Sequence, residues 1–144
     1  MPRACRLLMM LLLVGLLGAC SSVRKDDDSL YTALGGKPGV DAIADRFLYH
    51  LAGNERALPL FLNTDIGRFR AQFSTQLCAV AGGPCIYEGD SMAVTHRGMD
   101  INRAQFNSVV EDLVSAMEDR QVPVAAQNAL LQRLAPLFGE ITER

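Results

Sequence analysis

The chain has 144 residues, a formal net charge of −2 and no tryptophan. This length suits one small domain with a single hydrophobic core. The near-neutral charge, without a basic stripe or an aromatic platform, excludes nucleic acid as a predicted partner. The only histidines are His50 and His96, which excludes a metal site built from several histidines.

The N-terminal residues have the layout of a secretory signal. A basic head precedes an almost unbroken apolar run at residues 7–17, which is too short to span a bilayer comfortably. The stretch LGAC, residues 17–20, resembles the bacterial lipobox, whose cysteine becomes the lipidated first residue of the mature chain. We therefore expect a lipoprotein signal peptide over residues 1–19 and lipid on Cys20. An ordinary signal peptide cut after Ala19 and an uncleaved anchor are the alternatives.

The next residues predict a tether. Residues 21–29, SSVRKDDDS, are mostly small or charged, a composition typical of flexible segments. The predicted organisation is a signal peptide, then the lipidated cysteine with its tether at 20–29, then one folded domain at 30–144. The membrane is thus an expected partner through the lipid. The expected location is the bacterial cell envelope, on the outer membrane facing the periplasm.

The four cysteines separate into different roles under this interpretation. Cys5 leaves with the signal peptide and Cys20 carries lipid. Cys78 and Cys85 are left in an exported protein, where thiols tend to be oxidised. A straight helix would hold them about 10.5 Å apart, but the sequence GGP at 82–84 lets the chain fold back. We predict a disulfide between them, with two free thiols or a redox-active pair as alternatives.

Apolar periodicity predicts the first three helices. A short helix is expected at 29–34 and a second at about 40–53, after a glycine-rich turn. The sequence NTD at 63–65 is a strong cap for a third, long helix, which GGP at 82–84 ends. The apolar face of the third helix consists of Ile66, Phe69, Phe73, Leu77 and Val80.

Two further helices are predicted in the second half of the chain. Asn102 is expected to open one with a wide apolar stripe, and Pro123 to open the last. The apolar face of the last helix consists of Leu130, Leu134, Leu137, Phe138 and Ile141. No segment shows convincing strand alternation. The predicted fold class is all-α, with four substantial helices and a glycine-interrupted region at 82–101.

His96 is the main candidate for a functional residue in the sequence. It follows a short apolar stretch in SMAVTHRGMDI, residues 91–101. A lone histidine is usually a surface or satisfied core residue, and the large apolar side chains before it are, on the residues alone, better explained as core. No GxSxG motif is present, and Cys78 and Cys85 are better explained as a pair than as nucleophiles, so we predict no catalytic residue. Haem supplies four nitrogen ligands of its own, so a single histidine can hold it.

Motifs spread over the whole domain resemble one family. They are LYTALGG, the helix around Phe47, LPLFLNTDI, AGGPCIYEG, SMAVTHRGMDI and AQFNSVVEDLVSAM. Together they look like a group I truncated haemoglobin, and the resemblance runs from Leu30 to the C-terminus. It implies a two-over-two helical sandwich of the globin type around haem b, iron protoporphyrin IX.

The resemblance also implies site residues. His96 matches the family's proximal histidine, the protein's bond to iron, and Phe61 matches the phenylalanine on the haem face. Tyr87 falls near the polar edge of the haem. Arg68 or Arg70 is expected to pair with a haem propionate. The pocket lining implied is Phe69, Phe73, Leu77, Met92, Ile101, Phe106 and Val109.

The distal side departs from the family. Many members place a tyrosine where this chain has Leu48, and a polar residue, often glutamine, where it has Phe73. With Phe69, these residues predict a distal pocket without a hydrogen-bond donor. We expect His50, Tyr49, Gln72 and Gln76 to point elsewhere. Loss of such a donor weakens dioxygen binding by roughly 1–3 kcal/mol.

The leading hypothesis is therefore a lipid-anchored haem protein that binds a diatomic gas (dioxygen, nitric oxide or carbon monoxide) at a pentacoordinate iron. The resemblance implies oxygen binding and nitric oxide dioxygenation as activities, and the latter needs an external electron donor. A passive gas or electron carrier and a haem-based sensor stay open. The alternative from another class is a cofactor-free helical envelope lipoprotein that acts as a scaffold.

Overall fold

The computed structural model describes residues 27–142, all of whose regular structure is helical. The signal peptide, Cys20 and the first part of the predicted tether lie outside this range. The described elements are α1 Asp27–Ala33, α2 Gly36–Ala52, a 3-10 turn at Leu58–Phe61, α3 Ile66–Val80, α4 Met92–Thr95, α5 Arg103–Asp119, α6 Val124–Leu134 and α7 Leu137–Thr142. Within residues 27–142, none of the helices is long and apolar enough to cross a membrane.

The predicted caps open their helices as expected. The Asp65 carboxylate accepts a hydrogen bond from the backbone N–H of Arg68 at 3.0 Å and opens α3. Asn102 forms a reciprocal pair with Gln105: each side-chain oxygen accepts from the other's backbone N–H, at 2.9 and 3.0 Å. Such caps satisfy N–H groups that have no partner inside the helix.

The core lies where α2 crosses its neighbours. Helix α2 packs mainly against α5 and α3, and α3 also contacts α6. The largest fully buried apolar side chains in this core are Phe47, Ile43, Leu77, Met117, Leu130 and Val40. Burying each such side chain contributes roughly 1.5–3 kcal/mol. This arrangement agrees with the expected all-α, two-over-two sandwich.

Three boundaries differ from the sequence-based expectation. Helix α1 begins at Asp27, so the end of the predicted tether is helical. The predicted last helix is two helices, because Pro136 has no N–H with which to continue α6, which ends at Leu134. The glycine-interrupted region contains α4, a single turn that periodicity did not predict.

Candidate functional site

His96 is positioned by a helix of only one turn. The Ser91 side chain accepts from the backbone N–H of Val94 and caps α4, and His96 ends it. The imidazole Nδ1 lies 2.9 Å from the carbonyl oxygen of Met92. Because a carbonyl only accepts, Nδ1 must carry the hydrogen and donate. In the neutral ring Nε2 then keeps its lone pair, which is the tautomer that binds a metal through Nε2.

Two adjoining cavities share His96 as a lining residue. The larger has a volume of about 370 Å³ and the smaller about 230 Å³. Both are lined by Thr64, Phe69, Thr95 and His96, so the two cavities form one cleft between α3 and α4. The smaller cavity is otherwise lined by Leu60, Phe61, Met99, Ile101, Phe106, Val109 and Ile141, and is almost wholly apolar.

A row of aromatic rings forms the wall on the α3 side. The Phe69 and Phe73 rings are stacked, with centroids 5.6 Å apart and an interplanar angle of 11°. Phe61 meets Phe69 edge-on at 5.2 Å, and Phe47 supports Phe73 at 4.6 Å. Such ring pairs contribute about 0.5–1.5 kcal/mol each in addition to the free energy of burying their apolar surface. Phe61 and Phe47 therefore stabilise the positions of the Phe69 and Phe73 rings.

Most of the sequence-predicted pocket residues meet in the cleft, but two do not. Phe61, Ile101, Phe106 and Val109 line the smaller cavity, while Phe73, Tyr87 and Met92 line the larger. Leu77 is fully buried in the core and lines neither cavity. Leu48 also lines neither cavity, and its half-buried side chain packs against the core cluster.

The lining of the larger cavity includes two glutamines of α3. Gln72 and Gln76 both line the larger cavity, whereas we expected both to point elsewhere. On α3, Gln76 lies about 20° from Phe69 around the helix axis, and Gln72 about 60° from it on the same side. Both therefore share the cleft-facing side of α3 with Phe69, and they bring amide donors into the cleft.

Tyr87 supplies a hydroxyl at the polar end of the larger cavity. Its hydroxyl donates to the carbonyl oxygen of Asp90 at 3.2 Å. Burial, and secondarily the nearby Asp90 carboxylate, raises the pKa of the Tyr87 phenol above its usual range. Tyr87 is therefore neutral at physiological pH and can donate a hydrogen bond.

The two arginines proposed as anion partners are not equivalent. Arg70 is engaged by Asp45 on α2, with Nε and Nη2 donating at 2.6 and 2.9 Å. This contact lowers the pKa of the Asp45 carboxyl. Arg68 lines the larger cavity and is exposed. Of the two, only Arg68 is placed to meet an anion in the cleft.

The other histidine lies away from the cleft. His50 Nε2 is 2.9 Å from a carboxylate oxygen of Asp119, which also accepts from Arg46. His50 therefore points away from the cleft, as expected, and is half-buried beside the Arg46–Asp119 ion pair between α2 and α5. Tyr49 is 65% exposed and, like His50, lines a separate open groove on the surface.

Cys78 and Cys85 are joined by a disulfide, as the sequence predicts, with Cα atoms 5.8 Å apart. Cys78 is on α3 and Cys85 is in the segment that leads to α4. The chain folds back between them at Gly82, whose φ is +81°, a conformation that glycine adopts without strain. The bridge therefore ties together the two sides of the cleft.

Several lining residues escaped the sequence analysis. They are Leu60, Thr64, Asp65, Gly89, Asp90, Thr95, Met99 and Ile141. Ile141 was assigned to an apolar helix face without a role in the site. Thr64 and Thr95 carry no pattern that would have distinguished them from ordinary cap and loop residues.

Comparisons with known proteins point to the same family. The sequence profile described as Bacterial-like globin matches residues 29–143. A Group 1 truncated hemoglobin from Nostoc sp. is 28% identical over 116 residues, which is 81% of this chain and 98% of that protein. One from Tetrahymena pyriformis is 29% identical over 100 residues, which is 69% of this chain and 83% of that protein.

Solved structures show the same fold. The truncated hemoglobin from Tetrahymena pyriformis in its Fe(III) form has a TM-score of 0.75 and 26% sequence identity, and the match covers 78% of this chain and 96% of that one. The 2/2 hemoglobin from Synechococcus sp., in the cyanomet state with covalently attached heme, also has a TM-score of 0.75, covering 80% and 98%. Because its sequence identity is only 21%, this second match shows a shared fold and nothing more. Because the family profile spans nearly all of the described residues, the chain belongs to the bacterial-like globin family, as a group I truncated haemoglobin.

Proposed function

We propose that His96 binds the iron of haem b in this globin and that a diatomic gas binds at the same iron. The observation that carries this proposal is the donation from His96 Nδ1 to the Met92 carbonyl oxygen at 2.9 Å. It leaves Nε2 as a free ligand atom on a ring that lines both cavities. A fixed tautomer and ring orientation raise the ligand quality of an imidazole.

The chemistry of the cleft fits a flat macrocycle with two carboxylates. The smaller cavity is apolar, and the stacked Phe69 and Phe73 rings flank the larger one. The polar groups lie in the larger cavity, where the Arg68 guanidinium suits carboxylate oxygens and the Tyr87 hydroxyl would donate to one by turning from the Asp90 carbonyl. Bound haem supplies four ring nitrogens and an iron that accepts one protein ligand and one gas molecule.

Two features of this chain bear on which gas is retained. Phe69 and Phe73 are apolar and offer no hydrogen bond, whereas the Gln76 amide lies in the same cavity. Dioxygen bound to iron is polarised and gains from a donor, while carbon monoxide is affected less. Oxidation of nitric oxide to nitrate would in addition need an external electron donor.

An absorption spectrum tests haem binding directly. The purified full chain should show a Soret band that shifts on reduction and again on addition of carbon monoxide. His96→Ala should lose most of the bound haem, or keep it with a spectrum that added imidazole restores. His50→Ala is the matched control and should resemble the parent protein. A parent chain that is colourless after haem has been supplied and the unbound haem removed would favour the cofactor-free scaffold instead.

We also propose that the protein is anchored in the bacterial envelope by lipid on Cys20. The support is the sequence of residues 17–20, LGAC, after a basic head and an apolar run. Cys20→Ala should move the protein out of the membrane fraction and remove the mass added by lipid. A Cys20→Ala variant that stays in the membrane fraction with the same added mass refutes the anchor.

A further inference from the structure

One wall of the cleft is held to the helical body by very few interactions. We call residues 84–90 the cleft segment; Tyr87, Gly89 and Asp90 in this segment line the larger cavity. Among the described residues, its one hydrogen bond is that of the Tyr87 hydroxyl with the Asp90 carbonyl. Both partners belong to the segment itself. Hydrogen bonding therefore does not fix the segment to any helix.

Side-chain burial within the segment is confined to Cys85 and, in part, to Tyr87. Ile86, the large aliphatic residue of the segment, is 80% exposed. Cys85 packs against the core, and its sulfur is bonded to Cys78. Cys78 itself is fully buried on α3. The disulfide thus joins a rigid helix to a weakly held wall of the cleft.

We propose that the Cys78–Cys85 disulfide is a redox-sensitive latch that slows the release of haem, and that a dithiol reductant opens it. This inference rests on the proposed binding of haem in the cleft. With the bond intact, the cleft segment stays beside α3 and also keeps the start of α4 in place. Once the bond is broken, the segment has no polar link to a helix, and local opening of this wall exposes the haem edge.

The opening reaction is a thiol–disulfide exchange. A thiolate of the dithiol attacks the Cys85 sulfur, because Cys85 is the more exposed of the two. The Cys78 sulfur leaves and takes a proton from solvent. The second thiolate of the reductant then attacks the reductant's own sulfur in the mixed disulfide and releases Cys85. Two electrons and two protons pass to the protein, and the dithiol becomes a cyclic disulfide.

Thermodynamic linkage gives this latch a second, independent consequence. If reduction weakens haem binding by some factor, haem must stabilise the disulfide against reduction by the same factor. The haem-bound protein should then have the more negative disulfide reduction potential. For a two-electron couple, a tenfold coupling corresponds to about 30 mV.

The test measures transfer of ferric haem from the full chain to an excess of an apoprotein acceptor. Treatment with a dithiol should speed haem release, by about 5- to 150-fold where a coupling free energy of usual size appears wholly in the dissociation rate. The Cys78→Ala/Cys85→Ala variant should release haem at the fast rate without any reductant. The same variant with dithiol is the control, because any further change would come from the reductant acting on iron.

The possible results distinguish failure of the disulfide latch from failure of the proposed haem binding. Equal release rates for the bridged and reduced protein, with equal reduction potentials in the presence and absence of haem, overturn the latch while leaving haem binding intact. Failure of the parent protein to bind haem overturns the proposed function and the latch together. If the double variant does not fold, the comparison of parent protein with and without dithiol still decides the question.

Discussion

The side-chain amide of Gln76 and the thioether of Met92 meet across the cleft, with Nε2 3.6 Å from Sδ. A thioether sulfur is a weak hydrogen-bond acceptor, so the hydrogen bond from the Gln76 amide to Met92 is weak. The same Met92 offers its carbonyl oxygen to His96. Gln76 is therefore an amide within the cleft that can turn to a better acceptor at little energetic cost.

We expect Gln76→Leu to speed dioxygen dissociation about tenfold, since one hydrogen bond of ~1.4 kcal/mol corresponds to a factor of ten. Carbon monoxide dissociation should change much less, because that ligand carries less negative charge. Flash photolysis and stopped-flow mixing measure both rates. Gln72→Leu is the matched control: Gln72 is exposed, so its replacement should have a smaller effect. An unchanged dioxygen rate in Gln76→Leu would mean that the distal side behaves as the apolar pocket predicted from Leu48, Phe69 and Phe73.

The sequence predicted what local patterns control. The caps at Asp65 and Asn102 open helices because a side-chain oxygen satisfies N–H groups a few residues away, which is a local interaction. The apolar stripe of α3 likewise predicted which residues form the aromatic wall. The disulfide was predicted from the expected export of the protein and from the glycine break that lets the chain fold back between the two cysteines.

What the sequence could not predict depends on tertiary packing. Helical spacing from Phe69 would already have placed Gln76 on the cleft side of α3, so a local signal was missed there. The packing of Leu48 against the core, by contrast, depends on how α2 meets its neighbours. Helix α4 is a single turn, too short for apolar periodicity to reveal. The choice between Arg68 and Arg70 required knowing that Asp45 on α2 lies opposite Arg70.

The two arginines of α3 make a matched pair for testing the binding of haem carboxylates. Arg68→Gln should speed haem loss severalfold and shift the haem titration, because it removes the cation of the cleft rim. Arg70→Gln should leave haem loss unchanged and should cost no more than about 1 kcal/mol of unfolding free energy, since its ion pair with Asp45 is exposed. Faster haem loss in Arg70→Gln than in Arg68→Gln would reverse the assignment.

At Gly39 the backbone of α2 approaches the backbone at the end of α1 too closely to leave room for a side chain. A Cβ added there would lie 2.0 Å from the carbonyl oxygen of Leu34, far inside van der Waals contact. We expect Gly39→Ala to lower the unfolding free energy by more than about 2 kcal/mol, because the backbone must move to admit the added methyl group.

The control is Gly67→Ala on α3, where the atom nearest to the added Cβ is 3.5 Å away. That variant should be neutral or gain up to about 1 kcal/mol from helix propensity. Urea unfolding measures both; equal stability of the two variants would contradict the contact.

Asp41 should make the α2–α3 contact sensitive to acid, in addition to Asp45, whose pKa the Arg70 guanidinium lowers. Its carboxylate accepts from the Lys37 ammonium and the Ser74 hydroxyl, and these hydrogen bonds, Lys37 first, lower the pKa of Asp41. A carboxyl whose pKa is lower in the folded state stabilises the fold above its unfolded pKa of about 3.9. That contribution is lost as the pH falls through the folded pKa, because the proton then binds folded and unfolded chains alike.

At pH 7, Asp41→Asn should lower the unfolding free energy by about 0.5–1.5 kcal/mol. The deficit relative to the parent should stay constant down to about pH 5 and shrink below about pH 4. Urea unfolding across this range measures it, with Glu118→Gln as an exposed carboxyl control. A deficit that persists unchanged at pH 3 would show that the charge of Asp41 is not what stabilises the contact.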